Sequence, residues 1–389
     1  MDEPFKAAET RAIDRLLRHA ELLGNRFPDD TTVGQYYRLR QTEGERPGTN
    51  MGWTTGFWTG LAWLGYESGG RHKFRHLALS HLPSYARRLA RNIDLDHHDL
   101  GFLYGPSCVA AYRATGLSCS RKLGIAAADW LMGRYLPNAG VFQAWGRMDD
   151  AAESGRIIID TVMNLPLLHW AAEQSGDVRY TTAAVRHLQR SMDLLVRADG
   201  SSFHSYHLDP FSGRARIAST VQGSSTESCW ARGQAWGIYG YALNHRYAPE
   251  LGMLDCAIRM ADYFLAKLPE DGIAAWDLSL VAGAAVPRDS SATAIAVCGL
   301  LEITNQMPDG PARTHFLDAA QRLLRGLITH CTPQADESNA LLLHGVYSLP
   351  HGRGIDEANL WGDYYYLEAL ARVNRGWRSY WHVGSTSSY

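Results

Sequence analysis

Residues 228–247 read SCWARGQAWGIYGYALNHRY. Glycine, alanine and aromatic residues run through this stretch, and Arg232 is its only charge before Arg246. A helix formed here has no polar stripe, so it has to be covered on every side. Five other stretches share this composition: GWTTGFWTGLAWLGY (52–66), DLGFLYGPSCVAAYRATG (99–116), DTVMNLPLLHWAAEQSG (160–176), DSSATAIAVCGLLEITNQ (289–306) and DEANLWGDYYYLEALARVN (356–374). Segments of a second kind alternate with them. Phe5 to Leu23 sets apolar residues at 8, 12, 13, 16, 17 and 20, the helical period of 3.6. Similar segments lie near 74–93, 121–136, 178–197, 251–268 and 314–331; in the fifth of the six, Leu254, Ile258, Ala261 and Leu265 form the stripe. Pro83 predicts a break or a fresh helix start in the 74–93 segment, and Pro166 in the 160–176 stretch predicts either a kink or a later helix start.

Six covered helices alternating with six amphipathic ones make a repeat architecture. The closed solution is an all-α (α/α)6 barrel, with six inner helices inside six outer ones. Short β-rich segments at 140–148, 201–210, 273–280 and 340–349 precede inner helices. In a double ring these loops gather at one end, so their aromatic and histidine side chains converge on one pocket. No linker or compositional shift divides the chain, which predicts one catalytic domain over residues 1–389.

The composition narrows the function. Lys+Arg number 38 against 40 Asp+Glu, a net charge of −2, which gives no general attraction to nucleic acid or anionic membrane. No apolar run reaches the ~20 residues that span a bilayer. The first residues, MDEPFKAAETRAIDRLL, lack a basic and an apolar signal region and predict a cytoplasmic protein. The cysteines at 108, 119, 229, 256, 298 and 331 have no metal spacing and read as free thiols. Twelve Trp, 19 Tyr and 16 His exceed what a core needs and point towards carbohydrate.

Asp160 opens an otherwise apolar inner stretch, with Asn164 one turn on. It is either a helix cap or a desolvated acid able to donate a proton near neutral pH. Asp99 poses the same choice. Asp289 and Asp356 stand at equivalent places, so position alone does not select a catalytic pair. Arg232 and Trp236 share a helix face; Arg can clamp a carboxylate or satisfy a buried Asp, and Trp offers a plane for a sugar. The run Asp149-Asp150-Ala151-Ala152-Glu153 imitates a diphosphate motif but lies in a loop, where it reads as a solvated charge cluster. His97-His98 alone is weak evidence for metal, and no HExxH, GxGxxG or Walker sequence appears.

Several strings together resemble one family. They are DLGFLYGPSC (99–108), FQAWG (142–146), RIIID (156–160) running on to NLPLL (164–168), WARGQAWG (230–237), RDSS (288–291) and WGDYY (361–365). They resemble the unsaturated glucuronyl hydrolases of glycoside hydrolase family 88, from about Trp53 onwards. The family 105 unsaturated rhamnogalacturonyl hydrolases share fold and aspartate pair but match the strings less closely. The resemblance implies an (α/α)6 barrel with no metal or organic cofactor. The implied substrate is an oligosaccharide left by a polysaccharide lyase with a 4,5-unsaturated uronic acid at its non-reducing end. By position, Asp160 is the implied general acid/base and Asp99 its partner. Trp53, Trp145 and Trp236 are implied to line the sugar, with His98, Asn164, His204 and Gln222 as polar contacts. Arg232 is implied to hold the carboxylate, and His344 and Tyr347 to reach the pocket. The tail GWRSYWHVGSTSSY aligns with no family pattern. A monomer or weak homodimer is expected. Two rivals are a histidine-based sugar epimerase on the same barrel and a non-enzymatic helical scaffold.

Overall fold

The computed structural model describes residues 3–150, 153–280, 285–334 and 337–381. The chain runs α1 (Glu3–Leu23), α2 (Thr55–Gly69), α3 (His72–Arg91), α4 (Leu100–Tyr104), α5 (Ala110–Thr115) and α6 (Ser118–Met132). It continues through α7 (Pro166–Ser175), α8 (Val178–Leu195), α9 (Ala231–His245), α10 (Met253–Ala266), α11 (Ser290–Gln306), α12 (Pro311–His330) and α13 (Leu360–Arg375). The covered segments become the inner ring. α2 packs on α4, α4 on α7, α9 on α11, α11 on α13, and α13 back on α2. The turn before α7 joins it to α9. The ring is closed, as expected of an (α/α)6 barrel. The amphipathic helices α1, α3, α6, α8, α10 and α12 lie outside, each against its inner neighbour.

Burial follows composition. In α11, Ser290 to Thr304 are buried without a break, whereas α8 buries one face through Tyr180, Ala184, His187, Leu188 and Ser191. Glycines set the spacing of the inner helices. A Cβ on Gly56 meets the Phe102 carbonyl oxygen at 2.0 Å, and one on Gly101 meets Asn164 Cα at 2.4 Å.

Of the two prolines expected to punctuate helices, one departs from expectation and the other follows one of its two alternatives. α3 runs through Pro83 without a break; Ala78, Leu82 and Tyr85 pack inward around it and offset the lost backbone bond. The second inner helix is interrupted instead: a π turn at Gly105–Val109, containing Pro106, separates α4 from α5. Pro166 marks the later helix start and not the kink. It is the first residue of α7, and Asp160 lies before it in a 3₁₀ turn, Ile159–Met163.

The small strands gather by the N-terminal ends of the inner helices. β1 (Tyr135–Leu136) pairs with β2 (Val141–Phe142), and β3 (Arg156–Ile158), β4 (Ser205–Leu208) and β5 (Ala215–Ser219) form an antiparallel sheet in that order. β6 (Gly345–Ser348) and β7 (Arg353–Glu357) form a hairpin. The 273–280 segment makes only isolated bridges, Asp277 to Trp230 and Ala275 to Arg288. At the other end the tail beyond α13 closes the ring: Trp377 Nε1 and the Tyr380 hydroxyl both donate to Glu67 Oε2, at 2.6 and 3.1 Å.

Candidate active site

β3 leads directly into Asp160. Ile157 and Ile158 are buried, and the Ile159 amide donates to the His204 carbonyl at 3.0 Å, which fixes the turn against β4. Pro166 starts a new helix rather than extending the turn, so the Asp160 side chain caps nothing. Its Oδ2 is buried with no hydrogen-bond partner. Burial, with the neighbouring Asp99 carboxylate adding to it, raises Asp160 to about 7 against an opposing pull from Arg232.

Asp99 stands at the start of α4, and its side chain makes no cap either. His98 Nε2 lies 3.3 Å from Oδ1, and His97 Nδ1 3.4 Å from Oδ2. Burial alone would raise this carboxyl, but His98, His97 and Asn164 outweigh it and hold it below the usual range. Asn164 ties the two starts together. Its Oδ1 accepts from the Phe102 amide in the first turn of α4 at 2.8 Å, and its Nδ2 donates to the Asp160 carbonyl at 3.3 Å. One carboxyl is therefore poised to hold a proton near neutral pH, and its neighbour to stay ionised.

Asp289 and Asp356 separate clearly from this pair. Asp289 caps α11 through the Ser291 amide and pairs with Arg232 at 2.9 Å, both fully buried. Asp356 starts no inner helix; it lies exposed on β7, and Asn359 caps α13.

Arg232 sits between the Trp230 and Trp361 rings, 4.4 and 4.9 Å from their centroids. It donates to Asp289, the Val346 and Tyr347 carbonyls and Gln222 Oε1. The alternative in which Arg satisfies a buried Asp is therefore present: the guanidinium fastens β6 and Gln222 to α9. Trp236 departs further from expectation. It is 0% exposed behind Phe102 and Tyr365 and offers a ligand no surface.

Trp53, Tyr347 and Trp145 are partly exposed. Trp53 donates from Nε1 to the Tyr347 hydroxyl at 2.9 Å and stacks on Trp361. The Arg353 guanidinium lies 4.0 Å over Tyr347 while donating to Asp30 at 2.6 Å. Arg156 covers a face of Trp145 at 4.9 Å. His204 is buried, and desolvation, with Arg232 and His98 adding to it, lowers it to about 3, so the ring is neutral. Its Nδ1 accepts from the Val221 amide at 3.0 Å, which puts the ring proton on Nε2. His344 is 41% exposed at φ +65°, paired with Asp356 at 2.6 Å on the rim rather than inside the pocket. Of the acidic run, Asp149 bonds Arg147 in the open, and residues 151–152 lie outside the described residues.

Sequence reading missed the outer supports of this site. Residues 27–40 fold back over it, where buried Asp30 accepts from Arg40, Thr54 and Arg353. No local pattern marks that cluster, because its members lie up to 323 residues apart.

The family model described as Glycosyl Hydrolase Family 88 matches residues 28–377. The chain belongs to glycoside hydrolase family 88. An unsaturated glucuronyl hydrolase of Bacillus sp. strain GL1 is 43% identical, over 94% of this chain and 95% of its own. An unsaturated chondroitin disaccharide hydrolase of Streptococcus agalactiae is 42% identical, over 95% and 92%. The crystal structure of the Bacillus enzyme, described as responsible for the degradation of glycosaminoglycan, superimposes with a TM-score of 0.93 at 42% identity, covering 98% of this chain and 100% of that one. Within the family 88 barrel, the matched segment takes in both aspartates and the whole aromatic wall.

Proposed function

We propose that this family 88 enzyme removes the 4,5-unsaturated uronic acid from the non-reducing end of lyase-generated glycosaminoglycan oligosaccharides by hydrating the C4=C5 bond. One observation carries the reading: a buried carboxyl with an unpartnered oxygen, raised to about 7, stands beside an ionised one. The C4=C5 bond is conjugated to the carboxylate and is also an enol ether through the ring oxygen. Asp160 gives its proton to C4, and the positive charge that develops at C5 is shared with the ring oxygen. Water adds at C5 and returns its proton to Asp160. The resulting hemiketal opens and the glycosidic link collapses, which releases the shortened sugar and an acyclic keto acid. Asp99, ionised, disfavours a second negative charge at Asp160 and so keeps the donor protonated. The two titrate as a coupled pair, and the carboxylate spacing rule for retaining and inverting glycosidases does not apply to this chemistry.

In this reading Trp53, Tyr347 and Trp145 hold the sugar faces, and Gln222 and His204 Nε2–H bond its oxygens. Arg232 attracts the uronate carboxylate through its field while holding the pocket wall. The relative named for an unsaturated chondroitin disaccharide supports that disaccharide as the first substrate to try. Six free cysteines, five of them buried, support a reducing compartment such as the cytoplasm. No helix among the described residues is long and apolar enough to cross a membrane.

The test is turnover of a lyase-generated unsaturated chondroitin disaccharide in heavy water, followed by loss of alkene absorbance. The expected first product carries deuterium at C4 on one face, by proton NMR. Release of an intact unsaturated monosaccharide free of deuterium at C4 would overturn the mechanism.

A further inference from the structure

Asp99 is flanked by two imidazoles that serve it differently. The Asp99 amide donates to His97 Nδ1 at 3.1 Å, and His97 Nε2 lies 3.1 Å from the Asp94 carbonyl. Both ring nitrogens of His97 are thus engaged by backbone groups. The second imidazole, His98, faces the carboxylate with Nε2. His98 is buried and desolvation lowers it to about 4, so it is neutral and has one ring proton to place. With Nε2 3.3 Å from Asp99 Oδ1, that proton belongs on Nε2; the other tautomer would set a lone pair against an anion.

The far nitrogen decides which tautomer forms. His98 Nδ1 lies 3.0 Å from Thr161 Oγ1, and Thr161 is fully buried. A hydroxyl that donates to Nδ1 leaves Nε2 protonated. We propose that Thr161 is a positioning residue for the reaction: its hydroxyl donates to His98 Nδ1, fixes the Nε2–H tautomer, and so turns an N–H rather than a lone pair towards the Asp99 carboxylate beside Asp160. Thr161 follows Asp160 in the same 3₁₀ turn. The peptide that places the proton donor thus also sets the state of its partner. The charged and titratable groups around these residues pull in different directions. His97 and Arg134 beyond α6 oppose protonation of His98 while Asp99 favours it, and Arg232 on α9 opposes the raised state of Asp160.

The inference rests on the proposed roles of Asp160 and Asp99, and its test separates the two. Thr161→Val keeps the shape and removes the donor. Its kcat should fall about 10- to 100-fold with KM within about a factor of two, the range expected when acid–base catalysis is impaired rather than binding. The acidic limb of its pH profile should rise by about one unit, because the Asp99 anion loses support. Thr161→Ser should restore both. In wild-type enzyme with ¹⁵N-labelled histidine, the His98 signal, assigned by its loss in His98→Gln, should show an unprotonated Nδ1 at neutral pH. This measurement stands even where the valine variant does not fold. A protonated Nδ1, or a valine variant with unchanged kcat and acidic limb, overturns the proposal. Wild-type enzyme inert on the unsaturated disaccharide, yet with His98 in the Nε2–H form, supports the tautomer relay and overturns the proposed function instead.

Discussion

At the C-terminal end of the inner ring, Glu302 and Glu368 each meet the Arg372 guanidinium, at 3.0 and 2.9 Å, and Tyr239 bonds both Glu368 and Arg372. At the N-terminal end, Asp160 keeps a buried oxygen with no partner, and the largest influence on it besides burial is another carboxylate. Both clusters are buried; the first is built on inner helices and the second just before the starts of two of them. Where carboxylates hold helices together they are paired, because an unpaired buried charge is costly. Where one is raised to about 7, that pairing is withheld. The lower cluster can afford regular helix around it. The upper one needs a 3₁₀ turn, which aims Asp160 where a continuous helix would point it elsewhere.

The contrast breaks most sharply at Asp160. Asp160→Asn should lower kcat by at least ~10²–10⁴-fold, since one group gives and regains the proton. The same variant should be more stable than wild type. A carboxyl raised from 3.8 to about 7 contributes stability that is lost as pH rises between those values. The stability gap should therefore grow from about pH 4 to 7 and level off above, reaching at most ~4 kcal/mol at ~1.4 per unit. Thermal melts at pH 4, 5.5 and 8 measure it; a gap that shrinks with pH removes the raised carboxyl from the account.

Asp99→Asn tests the coupling. It should cost about 10²-fold in kcat. With the like charge gone, Asp160 should release its proton more easily, so the alkaline limb should move to lower pH. An alkaline limb that stays in place means burial alone sets Asp160.

The opposite end should behave in reverse. Arg372→Met leaves two buried carboxylates short of their partner and should cost ~3–5 kcal/mol in denaturant melts. Its pH–activity limbs should match wild type when measured below the melting range. A shifted limb would show that the two clusters are not independent.

The smallest effect falls on the spacing. A Cβ at Gly101 sits 2.4 Å from Asn164 Cα, so Gly101→Ala has to push apart the two chain segments that carry the aspartates. Overpacking of this kind costs ~1–3 kcal/mol. A loss of kcat should accompany it, because Asn164 bridges both starts. Full activity with lowered stability would make that bridge purely structural.

Two of these residues show how far a linear reading reaches. Asp160 and Asp289 both open covered stretches and look alike as text. In the folded chain Asp289 caps α11 through the Ser291 amide and hydroxyl and pairs with Arg232, while Asp160 does neither. Arg232 and Trp236 were legible as residue types suited to a uronate and a sugar. Their surroundings turn Arg232 into a clasp between α9 and β6, and bury Trp236 out of reach.

The sequence by itself determined which helices are inner and which outer. That distinction depends only on whether apolar residues recur with a period of 3.6 or fill every face, and both patterns are local. It also carried the family motifs around both aspartates. The tertiary structure alone decided which carboxyl is paired, which stays unpartnered, and which hydroxyl sets the tautomer of His98. Thr161 and His98 are 63 residues apart, Arg232 and Asp289 are 57, and Arg353 and Asp30 are 323. Protonation states follow from burial and from neighbours at a few ångströms, and only closure of the ring brings those neighbours together.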